Sequence, residues 1–181
     1  MARGRAEGKK HHLPPATLVL GLGNPLRGDD GVGVRVAQAL AARALPDDVQ
    51  VIDGGTHGLG LVALIQGRQR LIVVDAADVD RSPGEFLRFT PKEARMLGTD
   101  QHLSIHAAGL RDALLLAQAL KVLPDEVVIF GVQPNNLEWD SDLSPQVEAV
   151  LPGLIEAVLA EIAVNPAETG EQPATAQKAG G

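Results

Sequence analysis

Thr17–Gly33 reads TLVLGLGNPLRGDDGVG. Its first six residues form a nearly continuous apolar run that ends in glycine, the pattern of a strand buried on both faces of a parallel sheet. From Gly31 to Arg43, Val32, Val36, Ala39 and Leu40 recur on one face of a helix. A strand, a glycine-rich turn and a helix in succession open an α/β unit, and the rest of the chain repeats the alternation. Val49–Ile52 is a second strand, stopped by Asp53-Gly54-Gly55, and Gly58–Ile65 is a short helix. Arg70–Val74 (RLIVV) is a central strand ending at Asp75. Glu85–Phe89, after the Ser82-Pro83-Gly84 turn, is an edge strand. His106–Leu120 is a helix with Leu110, Ala113, Leu114, Ala117 and Leu120 on one side, and Val127–Val132 is the last strand. Ser144 caps a final helix with Pro145 at its first position, and Val147, Val150, Leu151, Leu154, Ile155, Val158, Leu159 and Ile162 follow at helical spacing. The expected fold is a three-layer α/β sandwich: a mostly parallel twisted sheet of about five strands with helices on both faces.

The glycine-rich turn invites a dinucleotide reading, which fails in detail. After Gly21 and Gly23 the third glycine position holds Leu26, and no Gly-Lys-Ser/Thr follows for a phosphate loop. Asp29 and Asp30 stand where the next helix would offer its amides to a pyrophosphate, and carboxylates compete for that same positive potential. Ligands of open α/β sheets bind at the carboxyl ends of the strands. Asp30, Asp53 and Asp75 fall at such ends, and His106 opens a helix near the same rim. Two carboxylates and an imidazole make an oxygen/nitrogen metal-ligand set with positions left open. Each residue also has a plainer reading. Asp29 caps the helix, Asp30 is a second helix-start carboxylate, Asp53 holds its glycine turn, Asp75 caps, and His106 simply starts a helix. His57 and His102 read as loop residues, His11 and His12 as tail residues, and Asn24 as a turn residue for backbone or substrate. Leu59, Leu61 and Val62 read as core, or else as substrate surface.

Composition narrows the classes. The chain has 181 residues, 45% of them hydrophobic and 22% charged, enough for one globular domain. Aromatics are 2% (Phe86, Phe89, Phe130 and Trp139), so the core is aliphatic. A net charge of −7 argues against nucleic acid as partner. With no cysteine there is no disulfide, thiolate ligand or cysteine nucleophile. No apolar run approaches the roughly 20 residues of a membrane span. The start, MARGRAEGKKHH, is basic without a signal-peptide apolar segment, so the expected compartment is the cytoplasm. Residues 1–16 and 164–181 read as flexible tails around a domain at 17–163.

GLGNPLRGDDGVG, IDGGTHG, IVVDAAD and SIHAAGL, in this order and spacing, resemble the nickel–iron hydrogenase maturation proteases, as do Gly131-Val132-Gln133-Pro134 and Leu143-Ser144-Pro145. The resemblance spans Leu18 to Ile162. It implies an endopeptidase, often classed as aspartic-type, that removes the C-terminal extension of the hydrogenase large-subunit precursor after nickel insertion. It also implies that Asp30, Asp75 and His106 contact nickel brought by that precursor; the family has Glu or Asp at the first place, and Asp30 is one methylene shorter than Glu. Asp53 and Asp75 are then the catalytic carboxylates. Two mechanisms fit: nickel licenses recognition while a carboxylate activates water, or the metal itself polarises the scissile carbonyl. The expected partner is the nickel-loaded precursor, and the protease itself a monomer or weak oligomer. The competing classes are a nickel carrier without catalysis and a nucleotide-binding α/β enzyme.

Overall fold

The computed structural model describes residues 14–96 and 107–164. Its strands are β1 (Thr17–Leu22), β2 (Val49–Gly55), β3 (Arg70–Ala76), β4 (Phe86–Phe89) and β5 (Glu126–Val132). Its helices are α1 (Val32–Ala41), α2 (Leu61–Ile65), α3 (Pro91–Met96), α4 (Ala107–Ala119) and α5 (Pro145–Ala163). The sheet order is β2-β1-β3-β5-β4. All pairings are parallel except that of the edge strand β4, which runs antiparallel to β5 with Phe86 opposite Val132. The sheet is thus mixed, with one reversed edge on a parallel centre.

The apolar runs of β1, β3 and β5 are continuous because both faces of these strands are covered, and alternation sends successive side chains to different cores. Leu18, Leu20, Leu71, Val73, Val127 and Ile129 pack with Leu61 and Ile65 of α2 and with Leu110, Ala113 and Ala117 of α4. Val19, Ile72, Val74, Val128, Phe130 and Val132 meet Val32, Val36 and Leu40 of α1 and the buried face of α5. The helical spacing read from the sequence marks these faces correctly, with one exception. Leu120 lies one residue past the end of α4 and is 56% exposed, because the chain has already turned away from the sheet. Ser144 caps α5 as expected, accepting from Val147 N at 3.4 Å.

The pattern of apolar residues gives no hint of α3. Its signal is a capping box: Glu93 Oε2 accepts from Thr90 N at 2.7 Å, and Thr90 Oγ1 accepts from Glu93 N at 3.3 Å, with Pro91 first in the helix. Among the described residues no helix is long and apolar enough to cross a membrane. Pro14–Ala16 lead into β1 at the amino end of the sheet: Pro15 O accepts from Arg68 Nη1, and Ala16 O from the amides of Gln69 and Arg70.

At the amino end of the sheet, Arg70 is 2% exposed. Its guanidinium meets Glu126 at 2.9 Å and Glu161 at 2.5 Å, and donates to the carbonyls of Glu161 and Val164. Arg88 of β4 completes the network on Glu161 at 2.9 Å. β3, β4 and the end of α5 are therefore joined through one carboxylate, and β5 is added through Glu126 on the same guanidinium. Hydrogen bonds from Arg88 hold the Glu161 carboxyl below its ordinary value of 4.5, against the opposing effect of burial, with the charges of Arg88 and Arg70 adding to the effect. A carboxyl lowered in the folded state stabilises fully above its unfolded value, and the contribution is lost as pH falls through the lowered folded value. Glu161→Gln, which takes from the buried Arg70 one of its two carboxylate partners and leaves Glu126, is expected to cost about 3 kcal/mol at neutral pH. In urea unfolding the gap to the parent protein should shrink as pH is taken below 4.5; a gap constant with pH would contradict the network's role.

Candidate active site

The chain leaves β1 toward β2 on one side and returns to β3 on the other, so the carboxyl ends of β1 and β3 border the switch point of the sheet. The glycines of the opening motif bring α1 down onto this point. A Cβ on Gly33 would stand 2.2 Å from Val74 O and 2.3 Å from Leu22 O, and one on Gly21 would stand 2.1 Å from Gly33 O. At Gly23, with φ +121°, a Cβ would lie 1.7 Å from Asp30 O. These glycines serve the close approach of α1 to the ends of β1 and β3.

Asp30 sits in the 3-10 turn Gly28–Gly31 that packs against β3, and it is fully buried. Its Oδ2 accepts from Asn24 N at 3.1 Å. Asn24 in turn accepts from Leu26 N through Oδ1 at 3.0 Å, so its side chain serves the backbone of the loop. Asp75 is also fully buried, one residue past the Gly21–Val74 pair of the β1–β3 register. Strand alternation puts it on the face of Leu71 and Val73, the face that α2 and α4 cover. Asp75 thus stands at the end of β3, and the turn that carries Asp30 packs against that strand. Among the described residues no three His, Asp or Glu side chains form a group that could hold a metal. The third residue of the expected set, His106, lies outside the described residues; α4 begins directly after it in the chain.

Asp53 stands apart from this pair, at the end of the edge strand β2. It is exposed, and its Oδ1 accepts from Gly55 N at 3.0 Å, the turn-holding bond expected of it. Gly54 is the extra residue of a β-bulge: the register passes from Gly21–Asp53 to Leu22–Gly55. A Cβ there would come within 2.7 Å of Leu20 Cδ1. Gly23 N donates to Gly55 O at 3.0 Å, which ties this turn to the loop of Asp30. His57 is an exposed loop residue whose Nδ1 lies 2.5 Å from Gly54 O. Leu61 is buried and Val62 packs beside it, whereas Leu59 is 58% exposed.

Asp29 does not cap its own helix, and the helix-cap reading is corrected here. No side-chain bond caps the 3-10 turn or α1. The carboxylate crosses instead to the loop after β5. Oδ2 accepts from the amides of Asn135 and Asn136, both at 2.8 Å, and from Ser144 Oγ at 2.9 Å; Oδ1 accepts from Ser144 N at 2.6 Å. Backbone bonds run alongside, from Gly28 N to Ser141 O and from Asp29 N to Asn136 O. One buried carboxylate therefore fixes the loop of Asp30 against the N-terminus of α5.

The family model for hydrogenase maturation protease matches residues 34–161. The chain belongs to the hydrogenase maturation protease family. It is 37% identical over 147 residues to the hydrogenase 2 maturation protease of Escherichia coli (strain K12), covering 80% of this chain and 89% of that protein. It is equally similar to the hydrogenase expression/formation protein HupD of Rhizobium leguminosarum bv. viciae, covering 80% and 73%. The solved structure of the hydrogenase maturating endopeptidase HybD from E. coli superposes with a TM-score of 0.73 at 36% identity, over 85% of this chain and 93% of that one. The HybD maturation protease of Thermococcus kodakarensis superposes with 0.67 at 26% identity, over 81% and 98%.

In this protease two further residues shape the surroundings of Asp75. Gly131 stands opposite it in the β3–β5 register, and a Cβ there would press on Val79 at 2.9 Å and on Ala77 at 3.1 Å. Gln133 Oε1 accepts from Val79 N at 2.9 Å and holds the segment that follows Asp75. Asp29→Ala would leave several buried amides without an acceptor and is expected to cost about 3–5 kcal/mol, lowering Tm by roughly 10 °C. Asp53→Ala, at an exposed turn, is expected to cost about 0.5–1 kcal/mol. Thermal unfolding of the two variants side by side checks the assignment; equal losses would contradict it.

Proposed function

We propose that this protease removes the C-terminal extension of a nickel–iron hydrogenase large-subunit precursor after nickel insertion, and that Asp30, Asp75 and His106 recognise the nickel that the precursor carries. The observation that supports this most is that Asp30, in the turn packed against β3, and Asp75, at the end of that strand, are both fully buried. A carboxylate is costly to bury, and a divalent cation is one partner that offsets the cost. Carboxylates and an imidazole are donors that nickel accepts, and three protein ligands leave coordination positions to the substrate's own. The metal is then part of the substrate, and other divalent ions can stand in its place in vitro.

Hydrolysis is assigned to a carboxylate. Asp75, engaged with the metal, is a weaker base than Asp53, which water reaches freely and whose turn is tied to the Asp30 loop. In this division Asp75 and Asp30 place the precursor, and Asp53 takes a proton from the attacking water. The water's oxygen bonds to the scissile carbonyl carbon, Asp53 passes the proton to the amide nitrogen as the C–N bond breaks, and the amine departs with the C-terminal peptide. The compartment proposed is the cytoplasm. A carrier without catalysis would share the buried pair but would have no use for a carboxylate base at the rim.

The test is cleavage of nickel-loaded precursor followed by mass loss at its C-terminus. Asp30→Asn, Asp75→Asn and His106→Ala are each expected to abolish processing while the variants stay folded. Asp53→Asn is expected to lower kcat by about 100-fold, the lower range for losing a general base. Unchanged processing by all three metal-contact variants would overturn the recognition scheme.

A further inference from the structure

The rim of the crevice carries a surface that the Asp30–Asp75 pair does not use. Leu26 is 59% exposed and Trp139, the chain's one tryptophan, 64%. They come from the loop after β1 and the loop after β5, and Asp140 N donates to Leu26 O at 2.8 Å, so their backbones are adjacent. The Arg27 guanidinium lies 5.3 Å from the centre of the Trp139 ring, and Arg27 pairs with Ser141 in an isolated parallel bridge. Beneath them the Asp29 carboxylate clamps both loops. Large apolar side chains left in water on a rigid support lose little freedom on binding, which is what a recognition anchor requires. Glu138, Asp140 and Asp142, all exposed, flank the ring, three carboxylates against the single charge of Arg27.

We infer that Leu26 and Trp139 form the platform on which the precursor's polypeptide docks next to the metal-reading pair, with an apolar side chain against the ring and a cationic one among Glu138, Asp140 and Asp142. The occupant follows from position and charge. The platform shares its loop with Asp30: Leu26 stands four residues before that carboxylate, and the Asp29 clamp ties the loop after β5 to the same turn. An acidic segment would meet repulsion there, and a basic one attraction. The inference rests on the function proposed above, because it takes the precursor as the substrate.

The experiment is steady-state cleavage of nickel-loaded precursor by the full chain. Trp139→Ala and Leu26→Ala are expected to raise KM by about tenfold or more with kcat within about twofold, the signature of lost docking rather than lost chemistry. Trp139→Phe should recover most of the loss. Glu138→Lys with Asp140→Lys should raise KM and flatten its dependence on salt. Thermal unfolding of each variant keeps folding out of the comparison, and should Trp139→Ala unfold, Leu26→Ala and the lysine pair carry the test. Processing by the parent with KM unchanged in the folded variants would overturn the platform and leave the protease function standing. No processing by the parent would overturn the function on which the platform rests. Sedimentation showing a parent dimer that Trp139→Ala dissociates would also overturn it, assigning the surface to a second copy of the chain.

Discussion

The contact on which the site depends is backbone against backbone, where the start of α1 rests on the ends of β1 and β3. Gly21, Gly23 and Gly33 each occupy a place where a methyl group would lie within 2.3 Å of a carbonyl oxygen. The turn bearing Asp30 can reach β3 only because these side chains are missing. Carboxylates are then brought to the switch point of the sheet, where an α/β fold has its natural crevice. A glycine-rich turn is a device for close approach, and what approaches, a pyrophosphate or the protein's own helix, has to be read from its neighbours. The two acidic residues of Arg27-Gly28-Asp29-Asp30 mark the second case.

Those two aspartates divide the work between support and chemistry. Asp29 is satisfied by four donors from the loop after β5 and the start of α5. Asp30, one residue on, faces the end of β3. The proposed metal contact is held steady by a neighbour that never touches the metal, and the Asp29 clamp supports the exposed pair Leu26 and Trp139 as well. A protease that reads a metal inside a large protein needs a rigid rim, since each ordered loop left to settle on binding would weaken recognition.

The fold was legible because its signals are local. The unbroken apolar runs of β1, β3 and β5 and the spacing of α1, α4 and α5 name their own buried faces, and Ser144-Pro145 marks the start of α5. The α3 helix has a local signal too, in Thr90-Pro91-Lys92-Glu93, but it is a pattern of caps rather than of apolar residues. What stayed hidden is long-range. Asp29 looks like any helix-start carboxylate, and its partners lie 106 to 115 residues away. Arg70 reads as an ordinary first residue of a strand, yet it is buried because Glu161 waits 91 residues further on. Asp30 and Asp75 could be nominated from strand ends alone; that both are fully buried depends on packing that no single segment specifies.

Recognition through a metal carried by the substrate is the claim that holds the site together, and it has one direct measurement. The same precursor is offered to the protease with and without nickel, and the mass of its C-terminus is followed over time. The account expects the extension to be lost from the loaded precursor alone, with the nickel-free form bound weakly and left intact. Equal rates of processing for the two forms would contradict it.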